Sequence, residues 1–334
     1  MLTRRMIYTT IAFQLTRKCN AKCKICCESS SSQLRDKLDT DVILKSINAI
    51  KNVESIRNIA VTGGEPFLYP DDVLSIARLC KETGRLFTII TNAFWCVSYS
   101  HALSVLSQLK ENNLASCVVS ADASHQEYIP IEYVKFFLRA CSDLRIPTKI
   151  QTNSIKSTFS RTDEIINSIG KDKMHIQVLF ASVYPVGRAK EHFGQEEFFT
   201  RKLDRAVCQY QHILHISSDG RVEPCCSPCY IDIPFDFGNI YTDSLEDVLN
   251  KVSDNELMRV ISSEGFIRLL NEAKLELGFN ELNEYVDACH LCNHLLADAD
   301  RYAHFLEKAK IWRLQENEVI SAIRDSQRQM LESM

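Results

Sequence analysis

Cys19-Asn-Ala-Lys-Cys23-Lys-Ile-Cys26 follows, after Arg17-Lys18, on Met6-Ile-Tyr-Thr-Thr-Ile-Ala-Phe-Gln-Leu-Thr16, an apolar and β-branched run that reads as a strand. A tetrahedral metal closes on four protein ligands, usually from paired C-x-x-C units or Cys/His mixtures. Three thiols at a three-then-two spacing, with no fourth in register, predict instead a cluster with one metal left open. Iron–sulfur clusters are otherwise held by four thiolates, so the open iron of a [4Fe–4S] cluster is free to hold a small molecule. The preceding strand puts these cysteines on the loop at its carboxyl end, the edge where an α/β barrel carries its chemistry.

A second motif lies where the next strand is expected, at Ile59-Ala-Val-Thr-Gly63-Gly64-Glu65-Pro66. Gly63 and Gly64 permit close backbone approach, and Glu65 supplies a carboxylate for an ammonium. Alone, G-G-E-P is as well read as a turn ending a buried strand. Together, in this order, the two motifs resemble the radical S-adenosylmethionine (radical SAM) superfamily. That resemblance implies that Cys19, Cys23 and Cys26 hold a [4Fe–4S] cluster whose open iron chelates S-adenosylmethionine. It implies that Gly63, Gly64, Glu65 and Pro66 contact the cofactor's amino group. The residue before the third cysteine is often aromatic in the superfamily and is Ile25 here, so an aliphatic group or backbone must pack the adenine.

From Ile7 to about Phe180, short β-branched runs alternate with helical patterns. The strands are expected at Ile7–Leu15, Asn58–Thr62, Leu86–Thr91, Cys117–Ala121, Thr148–Thr152 and His175–Ala181. Helices are expected at Thr40–Lys51, Asp71–Thr83, His101–Asn112, Ile131–Leu144 and Arg161–Gly170, with starts at Asp39 or Thr40 and at Pro70. Such alternation argues an α/β fold with a parallel sheet and right-handed crossovers. Six units make a partial, TIM-like (βα)6 barrel, the form the resemblance also implies, with an open side for a bulky substrate. Polar residues at the strand ends fall on one rim: Asn92 after the third, Ser120 and Asp122 at the fourth, Gln151 and Asn153 at the fifth. In similar enzymes a serine and an aspartate at the fourth strand and an asparagine at the third help hold cofactor or substrate, and the competing reading for all five is helix capping. Arg188, in Tyr184-Pro-Val-Gly-Arg-Ala189, is expected to face a cofactor or substrate carboxylate or to form a surface salt bridge.

Beyond about residue 200 the pattern changes. Tyr210–Ser217, the turn Ser218-Asp-Gly-Arg221 and Val222-Glu-Pro-Cys-Cys226 read as a hairpin that returns Cys225 to Cys208. Cys289-His-Leu-Cys292 adds a C-x-x-C pair. Four thiols enclose one further metal centre, a structural zinc or a second, auxiliary [4Fe–4S] cluster. The spacing resembles the shortened twitch version of the SPASM extension, which implies the auxiliary cluster. Cys80, Cys117 and Cys141 read as core residues, Cys96 as near the rim, and Cys27 as packed behind Cys26. Cys226 is expected either to donate hydrogen to a substrate radical or to be a buried packing thiol or alternate ligand, and Cys229 to pack or serve as an alternate ligand. Residues 295–331 read as one or two amphipathic helices with a packing or dimer face. The division expected is a barrel over 1–200, an auxiliary-cluster domain over 201–295 and a terminal amphipathic helix over 296–334.

The 334 residues are 45% hydrophobic and 25% charged, ordinary for a globular protein, and a net charge of −4 argues no nucleic-acid or membrane partner. There is no signal-peptide pattern and no apolar run long enough for a membrane span. Fourteen cysteines without a secretion signal imply a reducing, cytoplasmic setting. C-N-A-x-C-x-x-C-C, the pair Cys225-Cys226 and the lack of room for a leader-recognition domain resemble the epipeptide-type peptide epimerases. Those enzymes act on a ribosomal precursor peptide, take electrons from an external reductant such as flavodoxin or ferredoxin, and invert L-residues by Cα hydrogen abstraction. The alternatives are a peptide cross-linking maturase, a small-molecule radical SAM enzyme, and a non-enzymatic zinc-binding interaction protein.

Overall fold

The computed structural model describes residues 6–173, 176–203 and 206–332. Six βα units build the first part: β1 (Thr10–Gln14), α1 (Thr40–Ala49), β2 (Asn58–Thr62), α2 (Pro70–Glu82), β3 (Leu86–Thr91), α3 (Tyr99–Lys110), β4 (Leu114–Ser120), α4 (Ile131–Asp143), β5 (Thr148–Ser154), α5 (Phe159–Ser168), β6 (Gln177–Ser182) and α6 (Gly187–His192). β1 to β6 pair in sequence order and in parallel. The helix starts fall where the capping chemistry put them. The Asp39 side chain accepts from the Asp41 amide ahead of α1, and Pro70 occupies the first turn of α2. β4 begins three residues earlier than expected, because Leu114 pairs with Phe87 across a register shift. His175, the expected start of β6, lies outside the described residues.

Strand alternation explains why this barrel is hollow. Ile11, Phe13, Ile59, Val61, Phe87 and Ile89 are fully buried in the main hydrophobic core. The intervening residues, among them Thr10, Ala12, Gln14, Ala60, Thr62 and Thr88, line the lumen. Bulky branched side chains fill a closed barrel. Small and polar ones here leave a cavity of about 750 Å³.

The hairpin does not form a separate sheet. Its first strand, β7 (Ile213–Ile216), pairs in parallel with β1, and β8 (Val222–Glu223) pairs antiparallel with β7. The sheet therefore has eight strands, in the order β6-β5-β4-β3-β2-β1-β7-β8, and its two edges flank the open side. Three helices follow, α7 (Leu245–Asp254), α8 (Glu256–Glu264) and α9 (Ile267–Glu276), then α10 (Ala288–Leu296) and the single long α11 (Ala299–Glu332). Tyr302, Phe305, Ala309 and Trp312 of α11 belong to the main core, Arg268 stacks 4.2 Å over the Trp312 ring, and Lys308 pairs with Glu272. The amphipathic pattern is thus spent on intramolecular packing up to Trp312. Leu314 beyond it is 63% exposed. Among the described residues no helix is long and apolar enough to cross a membrane.

Candidate active site

Cys19, Cys23 and Cys26 line one cavity of about 200 Å³ with Gly63, Gly64 and Asn92. Donors are aimed at the sulfurs: Ala21 N lies 3.4 Å from Cys19 Sγ, Ser30 N 3.4 Å from Cys26 Sγ, and Asn92 Nδ2 3.9 Å from Cys19 Sγ. Such N–H groups stabilise negative sulfur. Three thiols on one cavity wall, two of them with N–H donors, are the ligand types of a cluster with one open position. Among the described residues, however, no three such side chains stand close enough together to hold a metal ion. The G-G-E-P turn is stitched to the same loop, with Gly64 N donating to Thr16 O at 2.6 Å and Glu65 N to Lys18 O at 3.0 Å. Gly63, at φ +156°, has no room for a Cβ, which would stand 2.5 Å from Thr16 O.

Several expected contacts are placed differently. The Glu65 carboxylate is fully buried and accepts from Phe67 N at 3.0 Å, Thr91 Oγ1 at 2.8 Å and Asn92 N at 2.8 Å. It staples β2 to β3, so the backbone of Gly63 and Gly64, and not this carboxylate, faces the cavity. Burial pushes Glu65 up to about 7, against the three hydrogen bonds. Pro66 opens a short 3-10 turn and is buried. Asp122 is also fully buried, taking Ser124 N, His125 N, His125 Nδ1 and Asn153 N. It organises the loop after β4 and caps no helix, the next of which begins at Ile131 behind Pro130. Ser120, Gln151 and Asn153 do reach the cavity wall. His125, passed over in the sequence, lines it too. Burial lowers its pKa, but the adjoining Asp122 carboxylate outweighs burial and the net shift is upward. Asp-Ala-Ser-His was the available signal.

Arg188 is no surface residue. Its guanidinium is buried and donates to Cys23 O at 2.7 Å and Ser30 O at 2.6 Å, while its amide donates to Cys26 O at 3.0 Å. Gly187, at φ +52°, packs against the Cys27 carbonyl where a Cβ does not fit. The segment thus clamps the cysteine loop. Arg188→Ala strands two buried carbonyls, each costing about 1–3 kcal/mol. We expect that variant to lose iron from the first site first, read as falling iron per chain with the far-ultraviolet circular dichroism retained. Unchanged iron and unchanged cofactor cleavage would refute the clamp.

The second cysteine group forms behind the hairpin. Burial, and then the neighbouring thiols of Cys225, Cys208 and Cys289, pushes the Cys292 thiol well above its ordinary value. Cys292 therefore neighbours Cys208, Cys225 and Cys289, and Cys229 as well. Cys289 and Cys292 sit one turn apart at the start of α10, where Asp287 caps the amides of Cys289 and His290. A helix N-terminus favours thiolate. Cys229 is buried against Cys289, and Cys96 lies in the core beside Cys141 instead of at the rim.

Cys226 opens onto the barrel lumen. Burial pushes its thiol up to about 12, so the sulfur keeps its hydrogen at neutral pH. Cys27, expected behind the cluster, instead lines both the lumen and the smaller cavity, as do Glu28, Gln151 and Asn153. The two cavities therefore share a wall. Tyr230 donates to Glu28 Oε1 at 3.0 Å and stacks near His215, whose pKa burial lowers to about 4. Nothing in the sequence signalled that cluster, because its members lie some 200 residues apart.

Comparison with known proteins adds to this geometry. The profile of the radical SAM superfamily matches residues 13–145, and that of SPASM, an iron–sulfur cluster-binding domain, matches 208–293. The "Putative peptide biosynthesis protein YydG" of Bacillus subtilis (strain 168) is 24% identical over 311 residues, covering 90% of this chain and 96% of that protein. The "Probable GTP 3',8-cyclase" of Archaeoglobus fulgidus is 23% identical over 266 residues, covering 66% and 86%. Among solved structures, BtrN in complex with AdoMet and 2-DOIA superposes with a TM-score of 0.49 at 16% identity, covering 77% of this chain and 88% of that one.

Proposed function

Since this chain belongs to the radical SAM superfamily and carries a SPASM-type iron–sulfur domain, we propose that it is a peptide epimerase, converting L- to D-residues in a ribosomally made precursor. Its cofactors are a [4Fe–4S] cluster, S-adenosylmethionine and an auxiliary iron–sulfur centre, which removes the zinc-knuckle alternative. In this reading Cys19, Cys23 and Cys26 hold the first cluster and Cys208, Cys225, Cys289 and Cys292 the auxiliary one. Gly63, Gly64, Asn92, Ser120, Gln151 and His125 surround S-adenosylmethionine. When bound, the cluster and cofactor together supply a 5′-deoxyadenosyl radical that takes a Cα hydrogen.

One observation carries the finer reading. Cys226 lines the lumen and the adjacent Cys225 does not, although both thiols lie near Cys208. A protonated thiol on the lumen wall suits delivery of a hydrogen atom to a substrate carbon. The S–H bond breaks, a new Cα–H bond forms on the opposite face, and one electron with one proton restores the thiol. An external flavodoxin or ferredoxin is the proposed source of that electron. The likeness to a protein named for peptide biosynthesis supports the substrate class.

The solvent decides between this and a cross-link. In deuterated buffer the donor thiol exchanges, so each inverted residue is expected to gain one non-exchangeable deuterium. In ordinary water the product mass stays constant. A product lighter by two hydrogens, without solvent deuterium, would replace the epimerase by a cross-linking maturase.

A further inference from the structure

Among the described residues the sheet edge formed by β6 has no charge, proline or pairing strand to blunt it. An edge strand presents a row of unpaired N–H and C=O groups, usually blunted by charge, proline, a bulge or a covering element. β6 reads Gln177-Val-Leu-Phe-Ala-Ser182, without charge or proline. It pairs with β5 over all six residues without a register shift, and among the described residues no strand or bridge occupies its other side. Phe180 on this edge is 61% exposed. The strand also borders the reaction space. Gln177 and Ala181 line the lumen that contains Cys226, and Ser182 lines both that lumen and an adjoining cavity of about 370 Å³.

We infer that the precursor peptide binds in extended form as an added strand along β6. This deepens the peptide reading above and rests on it. Alternating donors and acceptors along a strand are saturated by another extended backbone, and such pairing supplies affinity without demanding a particular sequence. Side chains of an added strand alternate in direction. Every second residue is thereby turned into the lumen, toward the wall that carries Cys226. Pairing of β6 with a second copy would satisfy the same edge but would bring no substrate carbon into the lumen.

The test uses the iron-reconstituted enzyme. Short reading frames of the source genome are translated in vitro and offered in deuterated buffer, and peptides that gain deuterium are resynthesised with single N-methyl amides. Methylation at alternate positions of one stretch is expected to lower conversion about 50-fold, with the positions between tolerated. Hydrogen exchange at residues 177–182 is expected to slow about tenfold on peptide binding. A converted peptide that tolerates methylation throughout, or leaves exchange at 177–182 unchanged, overturns the added strand while peptide modification stands. A dimer with these amides already protected before peptide is added assigns the edge to a second copy and also overturns it. If no peptide gains deuterium, the epimerase reading fails and this inference fails with it.

Discussion

Replacing Cys19, Cys23 and Cys26 together by Ala is expected to abolish 5′-deoxyadenosine formation while leaving about half of the iron in place, since each cluster carries four irons. Cys19, Cys23 and Cys26 line one cavity, with backbone and Asn92 donors at Cys19 and Cys26, and Cys27 on the same wall offers one sulfur in place of three. The auxiliary group is formed by other elements, the hairpin and α10, so it should survive. The complementary variant, with Cys208, Cys225, Cys289 and Cys292 replaced, should lose the other half. Iron and sulfide analysis of anaerobically purified protein, with chromatographic assay of the nucleoside, reads both. Undiminished cofactor cleavage by the triple variant would remove the radical cluster from that loop.

The second large effect belongs to Cys226. Cys226→Ala should still cleave S-adenosylmethionine in the presence of peptide, because the cavity walled by Cys19, Cys23 and Cys26 does not include Cys226. D-residue formation should fall about 100-fold or more, the scale expected when a group acting directly on the reacting atom is lost. Cys226→Ser preserves shape, but its O–H bond is too strong to donate a hydrogen atom, so it should fail equally. That pair of variants separates donation from packing: recovery by Ser would mean that Cys226 only fills space. Normal epimerisation by Cys226→Ala, measured by chiral amino-acid analysis of the hydrolysed product, would exclude it as donor.

The parts of this protein that were legible in sequence are those carried by local pattern. Strand and helix periods, the Asp39 cap and the Pro70 start are properties of a few consecutive residues, and they located β2 and β3 to the residue. The cysteine spacing was legible for the same reason, because C-x-x-x-C-x-x-C keeps three sulfurs within one loop. The grouping of Cys208 and Cys225 with Cys289 and Cys292 rested on a hairpin and a C-x-x-C motif, and the hairpin is present as β7 and β8.

Roles that depend on direction were not legible. Glu65 and Asp122 carry the residue type a ligand contact needs, yet each points into the protein and accepts backbone amides. Sequence names a carboxylate but not the side of the strand end to which a turn aims it. Arg188 likewise needed the fold, since its partners are carbonyls about 160 residues earlier. Insertion of β7 beside β1 was beyond the hairpin's own pattern, because a short strand pairs with whichever edge the rest of the chain leaves open. That insertion leaves β8 at one edge and β6 at the other. By itself, then, the sequence determined the strands and helices of the barrel and the cysteine motifs, all encoded by near neighbours. The tertiary structure alone decided which polar groups face the cavities, that Cys226 stands on the lumen wall, and which strand edge stays open, because those depend on how distant segments pack.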